Sequence, residues 1–394
     1  MIDYVAEAEA MRDELIARRR DFHMHPELAF EEHRTSGIVA EVLNGLGLEV
    51  QTGVGQTGVV AILDGAKDGP TVLVRADMDA LPIVEENKTE YVSQTPGVMH
   101  ACGHDGHTAI GLGVARLLNQ YRDQIAGRIK FVFQPAEEIG AGALAMVKDG
   151  ALQGPRPDVS LGLHLWNSMP VGEVGVADGP TMAGSSDFKI VITGRGGHGA
   201  LPDTTIDPVV CAAQMVTAFQ TIIARNVSPL ETGVVTVATI HGGHAHNVIP
   251  GSVELTGTLR AFTIAVRDLI ATRVEEIARG IAQAMNCEVS VQIRHLTIPL
   301  ANHPEVGARV RPVVSQIVGE QGLHFDARTM GGEDMSYFMD DIPGMYLFVG
   351  SANAERGLDY AHHHPRFDFD EDVLPLGVAL LAAAVGEYVL PSQS

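Results

Sequence analysis

At residues 129–138 the chain reads IKFVFQPAEE, a short apolar strand that ends in a turn and leads into helical spacing. The same alternation recurs through the first half of the chain, where short apolar runs flanked by Gly or Pro precede longer stretches of helical spacing. The predicted strands are Val59–Leu63, Thr71–Arg75, Ile129–Phe133 and Val159–Leu165, and the predicted helices are His107–Tyr121 and Ala136–Lys148. Because such alternation requires crossover connections, it predicts an α/β fold on a mainly parallel sheet covered by helices.

Polar side chains stand where these predicted strands end. Asp77 and Asp79 follow one strand, Glu137 and Glu138 follow another, and His164 closes a third. Sites in sheets of this kind open at the carboxyl ends of the strands. We therefore expect the functional site at this edge of the sheet.

A different order begins near residue 184. The pattern becomes strand, helix, strand, strand, helix, strand, and ends near residue 296, which predicts a ferredoxin-like α+β unit. Residues 297–394 return to Gly-punctuated strands and a closing apolar helix. The sequence thus predicts a main domain formed by residues 1–183 and 297–394, with residues 184–296 inserted as a smaller domain.

Length and composition narrow the class of protein. A chain of 394 residues exceeds the roughly 250–300 residues of a single core, which agrees with two domains. The net charge of −22 argues against a nucleic-acid partner. The N-terminal residues lack the apolar run of a signal peptide, no membrane span is predicted, and the 3 cysteines do not form a disulfide framework. We expect a cytoplasmic protein without a membrane partner.

Metal-binding side chains occur in four short segments. These segments are His100-Ala101-Cys102-Gly103-His104, Ala136-Glu137-Glu138, Leu163-His164 and His362-His363-His364-Pro365. Each segment alone has an ordinary structural explanation, such as a buried free cysteine, a core histidine or a polar surface loop. Together they offer a thiolate, imidazoles and carboxylates, a mixed set that suits a reactive divalent metal better than a closed structural zinc site.

The adjacent pair Glu137 and Glu138 has two interpretations. Both side chains could be solvated glutamates in the first turn of a helix, where the helix dipole favours them. Alternatively, because adjacent residues at a strand-to-helix turn point in different directions, one carboxylate can bind metal while the other holds the water that the metal activates. The three other segments favour the second interpretation.

Six ordered motifs carry a resemblance to a known family. They are Arg75-Ala76-Asp77-Met78-Asp79-Ala80-Leu81-Pro82, Cys102-Gly103-His104-Asp105-Gly106-His107-Thr108, Gln134-Pro135-Ala136-Glu137-Glu138, Gly162-Leu163-His164, Gly332-Glu333-Asp334 and His363-His364-Pro365. In this order the chain resembles the hippurate hydrolase branch of the aminoacylase and carboxypeptidase metallohydrolases, which also holds plant auxin-conjugate hydrolases. The resemblance extends from about residue 20 to residue 373.

The resemblance implies two divalent metal ions in each subunit, with Zn or Mn expected and Ni or Co as alternatives. The implied metal ligands are Cys102, His104, Glu138, His164 and His363. His363 is preferred over its neighbours because the family pattern is His, any residue, Pro. Glu137 matches the general base. Asp77 matches a position that supports a metal-bound histidine in related enzymes, although Arg75 replaces that histidine in this branch.

The resemblance also implies that residues 184–296 form a lid and dimerisation domain. The loop Gly194–Pro202 resembles the family's lid loop, in which the histidine, here His198, reaches the substrate carbonyl, often from a partner subunit. Asn247 and Arg260 resemble lid positions that meet the carboxylate end of the substrate, for which a guanidinium is well suited. A homodimer or a dimer-based tetramer is implied.

The expected function is hydrolysis of the amide bond of an N-acyl or N-aroyl amino acid. An alternative is a dipeptidase or carboxypeptidase that uses the same metal site on a peptide bond. A non-enzymatic binding protein of the same fold is a third interpretation. Loss of Glu137 or of two ligands would favour it, and all of them are present.

Overall fold

The computed structural model describes residues 2–390, which form two compact units. The first unit contains residues 2–181, 301–328 and 334–390, and the second contains residues 182–300 and 329–333. Residue 1 and residues 391–394, which the predicted main domain includes, lie outside the described residues.

The described residues form ten α-helices and sixteen strands. The helices are α1 (Tyr4–Glu9), α2 (Arg12–Met24), α3 (His33–Gly45), α4 (His104–Asn119), α5 (Gly142–Lys148), α6 (Pro208–Arg225), α7 (Ile264–Ala284), α8 (Pro304–Val318), α9 (Ser336–Met339) and α10 (Val373–Val389). The strands are β1 (Glu49–Val54), β2 (Gly58–Asp64), β3 (Lys67–Asp77), β4 (Ala126–Gln134), β5 (Val159–Pro170), β6 (Val174–Gly175), β7 (Gly179–Met182), β8 (Gly184–Thr193), β9 (Gly197–His198), β10 (Gly233–His241), β11 (Val248–Ile249), β12 (Ser252–Ala261), β13 (Glu288–His295), β14 (Leu300–Asn302), β15 (Leu323–His324) and β16 (Gly344–Ala352). Short 3-10 turns occur at Arg122–Gln124, Pro202–Thr204, Glu320–Gly322 and Ala354–Arg356.

The first unit is built on an eight-stranded mixed sheet in the order β1-β2-β4-β3-β5-β16-β6-β15. Its four central strands, β4, β3, β5 and β16, run parallel, whereas β1, β2 and β6 join by antiparallel pairing. Helices α4 and α10 pack against β3, and nearly all of α10 is buried. The predicted α/β class with a mainly parallel sheet is confirmed.

The loop between β4 and α5 differs from the prediction. Helical spacing predicts a helix from Ala136, but α5 begins only at Gly142. Ala136 has a φ of 52° and Gly140 a φ of 64°, so the backbone turns back before it enters the helix. A Cβ atom at Gly142 would lie 1.6 Å from the carbonyl oxygen of Pro135, so this close approach requires glycine. Glu137 and Glu138 therefore lie in a tight loop and not in a helical turn.

The second unit has the predicted strand and helix order. Strands β8, β10, β12 and β13 form an antiparallel sheet in the order β10-β12-β8-β13, against which α6 and α7 pack. Asp207 caps α6 by accepting a hydrogen bond from the backbone N–H of Val209 at 2.8 Å. Within residues 2–390, every helix is too short or too polar to span a lipid bilayer.

Candidate metal centre

Two adjacent strands of the first unit, β4 and β3, end beside each other next to β5, which continues past this edge to Pro170. Asp77 ends β3, the loop with Glu137 and Glu138 follows β4, and His164 lies on β5. Cys102 and His104 reach the same edge from the start of α4, where Gly103 has a φ of 89° that favours glycine. Parallel strand ends thus gather these side chains, as expected for a sheet of this kind.

The predicted ligands form overlapping groups whose donor atoms lie within 4.8 Å of one another. The groups are Cys102 with His104 and His164, Cys102 with Glu138 and His363, and His104 with Glu137 and Glu138. The structure therefore brings together the five residues predicted as ligands and the residue predicted as the base. Cys102 belongs to two of these groups, one with His164 and one with His363.

The two oxygen atoms of Glu138 face different histidines. Oε1 lies 3.9 Å from His104 Nε2, and Oε2 lies 3.3 Å from His363 Nε2. Glu138 Oε1 and His104 Nε2 are both buried, and neither has a hydrogen-bond partner within residues 2–390. Buried polar atoms are rarely left without partners. Because a carboxylate, imidazoles and a thiol converge here, the donor set fits a pair of divalent cations.

Backbone carbonyl groups orient two of these histidines. His104 Nδ1 lies 2.9 Å from the carbonyl oxygen of Asp79, and His164 Nδ1 lies 2.7 Å from that of Leu165. A neutral imidazole that donates through Nδ1 keeps a lone pair on Nε2. His164 Nε2 lies 3.6 Å from Cys102 Sγ, so its lone pair is directed toward the thiol and the candidate metal centre.

His107 lies close to the site but has no nitrogen available for a metal. Its Nε2 accepts a hydrogen bond from the backbone N–H of Leu165 at 2.9 Å, so Nδ1 carries the proton and donates to Asp77 Oδ1 at 2.6 Å. Asp77, His104 and His107 also form a geometric group of possible ligands. Because both His107 nitrogens are engaged, we assign His107 to supporting the Leu165 peptide group.

The three adjacent histidines have different partners. His363 has a φ of 66°, its N–H donates to the Ala101 carbonyl at 2.7 Å, and its imidazole faces Glu138. His362 Nε2 donates to the Leu165 carbonyl at 2.9 Å. His364 stacks on Tyr360 with ring centroids 4.6 Å apart. Of the three, His363 is the one that lies among the candidate ligands.

Asp77 lies next to His104 and pairs with Arg75. Arg75 Nη1 lies 2.7 Å from Asp77 Oδ2, and Arg75 Nε donates to Gln134 Oε1 at 2.8 Å. Burial alone would raise the pKa of Asp77, but Arg75 and the neighbouring imidazoles hold this pKa well below its usual range. Asp77 is thus a carboxylate that supports His107 and lies 3.5 Å from His104 Nε2.

Without a bound cation, three of the candidate ligands hold protons that metal binding must displace. Burial and the charge of Glu138 raise the pKa of the Cys102 thiol. Hydrogen bonds to Cys102 and Glu138 raise the pKa of His363 to about 10. Burial and the neighbouring His107 and His362 lower the pKa of His164 well below its usual range. Burial alone would lower the pKa of His104, but Asp77 and Asp79 raise this pKa well above its usual value. A cation must therefore displace protons from Cys102, His104 and His363, whereas His164 is already neutral.

Residues 73–387 match the sequence profile of peptidase family M20/M25/M40. The chain belongs to this family. The match covers most of the chain, including every predicted ligand and Glu137.

Relatives of the M20 family chain include enzymes of two kinds. Thermostable carboxypeptidase 2 of Saccharolobus solfataricus is 40% identical over 383 residues, which cover 95% of this chain and 96% of that protein. N-acetyl-L-cysteine deacetylase of Bacillus subtilis is 38% identical over 364 residues, which cover 92% and 85%. The crystal structure of the Bacillus subtilis YXEP protein, a dinuclear metal binding peptidase from the M20 family, has a TM-score of 0.80 and 33% identity, covering 95% of this chain and 98% of that one. The present chain is a metal-dependent amidohydrolase of the M20 family.

The remaining predicted residues of this M20 family chain lie in its second unit. His198 on β9 is exposed, and its Nδ1 accepts a hydrogen bond from the N–H of Ala200 at 3.1 Å. The carbonyl of Asn247 accepts from the N–H of Gly199 at 2.8 Å, which holds the two segments together. Arg260 Nη1, on β12, is buried and has no hydrogen-bond partner within residues 2–390.

Sequence reasoning missed supporting residues of this M20 family site. It did not assign a role to His107 or to the Leu165 peptide group, and it did not single out Arg19, a fully buried arginine that pairs with Asp105 next to His104. Arg19 was detectable, because it follows Leu15 by four residues and precedes Phe22 by three, which places it on the apolar face of α2. No local pattern indicates the His107 and Leu165 contacts, since they join residues far apart in the chain.

Proposed function

We propose that this M20 family enzyme hydrolyses the amide bond between an acyl or aroyl group and a free amino acid. The observation that carries the proposal is the placement of Glu137 beside the candidate ligands, with a carboxylate oxygen within 4.8 Å of donor atoms of His104 and Glu138. This position suits a base that acts on water at the metal centre. The similarity to N-acetyl-L-cysteine deacetylase supports an N-acyl amino acid as the substrate.

Two divalent cations, with Zn or Mn expected, would be held by Cys102, His104, Glu138, His164 and His363. When bound, the cations polarise the scissile carbonyl and lower the pKa of water, which supplies a nucleophile at neutral pH. The Leu165 carbonyl fixes the tautomer of His164, so the Nε2 atom of His164 is prepared for binding before a cation arrives. The Asp79 carbonyl orients His104, whose Nε2 must first lose a proton.

Glu137 would act as the general base and then as the general acid. Its carboxylate accepts a proton from the attacking water and delivers that proton to the nitrogen of the departing amino acid. Glu138 differs in role because its two oxygens face His104 and His363. The pair thereby separates metal binding from proton transfer.

Residues 184–296 would form the lid. His198 would donate a hydrogen bond to the oxyanion that develops on the substrate carbonyl. Arg260 and Asn247 would bind the carboxylate of the amino acid, and the buried Arg260 Nη1 without a partner supports this role. A homodimer or dimer-based tetramer formed through the lid stays a prediction from the sequence, as does a cytoplasmic location.

A carboxypeptidase or dipeptidase activity is the second candidate. The similarity to thermostable carboxypeptidase 2 favours it, and the same donor set could act on a peptide bond. The two substrates differ in the group on the acyl side of the scissile bond. A comparison of turnover of the two substrates distinguishes the two activities, whereas metal content does not.

The test uses purified enzyme reconstituted with Zn or Mn. We expect kcat/KM for hippurate and N-acetyl amino acids to exceed kcat/KM for unblocked dipeptides. In Glu137→Gln we expect kcat to fall by about 10²- to 10⁴-fold while two ions stay bound. Glu138→Gln is the matched control, since it should lose metal. Full turnover in a Glu137→Gln protein that holds two ions would refute the assignment of the base, and a preference for dipeptides would favour the second candidate.

A further inference from the structure

A buried ionic cluster lies in the first unit, around Arg19 on α2. The side chain of Arg19 is completely buried. Its Nε lies 2.9 Å from Asp105 Oδ2, its Nη2 lies 2.8 Å from Asp368 Oδ1, and its Nη1 lies 3.3 Å from Glu371 Oε1. The guanidinium is also 4.2 Å from the ring centroid of Phe369. Each nitrogen of the guanidinium thus contacts a different carboxylate.

The carboxylates that contact Arg19 belong to segments that carry candidate ligands. Asp105 directly follows His104, and its Oδ1 accepts a hydrogen bond from the N–H of Gly106 at 2.9 Å. Asp368 lies five residues after His363, and its Oδ1 also accepts from the N–H of Phe369 at 2.9 Å. Both carboxylates therefore hold the backbone of their own segment as well as the guanidinium.

A third segment joins through Asn167, which follows His164 by three residues. Asn167 Nδ2 donates to the carbonyl of Asp368 at 2.8 Å and to the carbonyl of Tyr360 at 2.9 Å. The segments of His104, His164 and His363 are distant in sequence, yet all three connect to the cluster around Arg19. The segment of Glu138 is held separately, since the N–H of Glu138 donates to Asp79 Oδ2 at 3.0 Å.

Burying a charged cluster is an inefficient way to stabilise a fold. Desolvation of the charges offsets much of their attraction, and well-packed apolar residues often stabilise a core as much or more. The planar guanidinium instead fixes the directions of its hydrogen bonds, because it presents donors in a rigid fork that a lysine ammonium cannot reproduce. An arginine that contacts three carboxylates on two segments therefore restricts how those segments lie relative to each other.

We propose that Arg19 is a positioning residue of the metal centre, which sets the spacing between the segments of His104 and His363 through Asp105 and Asp368. The proposal rests on the ligands assigned under the proposed function. Arg19 itself contacts neither cation nor substrate. Its effect is on the affinity and coordination geometry of the metal centre, so it differs from a general contribution to stability.

The test compares Arg19→Lys with Arg20→Lys. Arg20 is adjacent, is partly exposed, and pairs with Glu371 and Glu90 but not with Asp105 or Asp368. Circular dichroism and thermal unfolding of the metal-free proteins establish whether each is folded. Metal affinity is measured by competition with a chelating dye. The charge-transfer absorption from the Cys102 thiolate to bound Co(II) reports the coordination geometry.

We expect folded Arg19→Lys to bind metal at least about tenfold more weakly than the wild type, as is usual for residues that orient ligands, and to show a changed Co(II) absorption. Arg20→Lys should match the wild type in both. A folded Arg19→Lys protein with wild-type affinity and absorption would overturn the proposal. If Arg19→Lys does not fold, Asp105→Asn replaces it, since an amide oxygen can still accept from Gly106. Weaker metal binding and a changed Co(II) absorption in Asp105→Asn would then support the proposal, and wild-type values of both would overturn it.

The two proposals fail in different ways. If the wild-type protein does not bind two ions, the proposed metal centre is wrong. If the wild type binds two ions and both folded variants bind them equally well, only the role of Arg19 is wrong.

Discussion

His362, His363 and His364 are identical side chains in consecutive positions, but the backbone gives each a different partner. His362 donates to a backbone carbonyl and His364 stacks on Tyr360, while the left-handed conformation of His363 directs its imidazole toward Glu138. A positive φ is uncommon for residues other than glycine and is often associated with function. At the scale of single residues, backbone conformation selects the candidate ligand.

His363→Asn should therefore bind metal at least about 100-fold more weakly, because loss of a ligand exceeds the usual effect of losing a residue that only orients one. His364→Asn is the control and should retain wild-type affinity. Competition with a chelating dye measures both. Equal affinities in the two variants would contradict the choice of His363.

Metal affinity should rise with pH below about pH 10. The pKa of His363 in the metal-free protein is raised to about 10, so this imidazole carries a proton at neutral pH that a cation must displace. Displacing that one proton strengthens apparent binding by about tenfold for each unit of increase in pH. Titrations at pH 6, 7 and 8 measure the slope. The slope should decrease by about one proton in His363→Asn, and an unchanged slope would contradict the assignment.

At the scale of secondary-structure elements, the backbone of the loop before α5 forms a tight turn that its sequence does not reveal. The predicted helix extends from Ala136, whereas the positive φ values of Ala136 and Gly140 fold the chain back on Pro135. The N–H of Ala136 also donates to Glu32 Oε1 at 2.9 Å, which holds the loop to the start of α3. The loop rather than helical spacing determines where Glu137 and Glu138 point.

Gly142→Ala should disturb this loop. The added Cβ would lie 1.6 Å from the Pro135 carbonyl oxygen, so the backbone that carries Glu137 and Glu138 must move. We expect weaker metal binding and a lower kcat. Gly37→Ala on α3 is the control, because open space surrounds the added methyl group and helix propensity favours alanine by about 1 kcal/mol. Wild-type metal affinity and kcat in Gly142→Ala would show that the loop tolerates displacement.

At the scale of the whole molecule, the candidate ligands come from separate parts of the first unit, so metal binding should stabilise that unit as a whole. At a free metal concentration of 100 times Kd, each bound ion adds about 2.7 kcal/mol to the free energy of unfolding. A chelator should lower the Tm and abolish turnover, and Zn or Mn should restore both. The same treatment should shift the Tm of His363→Asn less. A Tm and a turnover that are indifferent to chelation would contradict the metal centre.

The second unit should affect turnover without affecting metal content. His198 is exposed and lies outside the groups of candidate metal ligands found within residues 2–390. We expect His198→Ala to lower kcat by about 10²- to 10³-fold, the usual loss for an oxyanion donor, with two ions still bound. Steady-state kinetics and metal analysis test this. Unchanged kcat would exclude His198 from the reaction, and the exposed His244 provides a matched alanine control.

Local sequence patterns were enough to predict the α/β class, the strand and helix order of the second unit and the kinds of donor atoms available. These features are encoded locally, because hydrophobic periodicity and residue type can be read over a few neighbouring positions. Three features emerge only in the folded protein: α5 starts at Gly142, His107 supports a peptide group, and Arg19 joins the segments of His104 and His363. These depend on contacts between residues far apart in the chain, whose geometry is set by packing and by the pairing of buried polar groups.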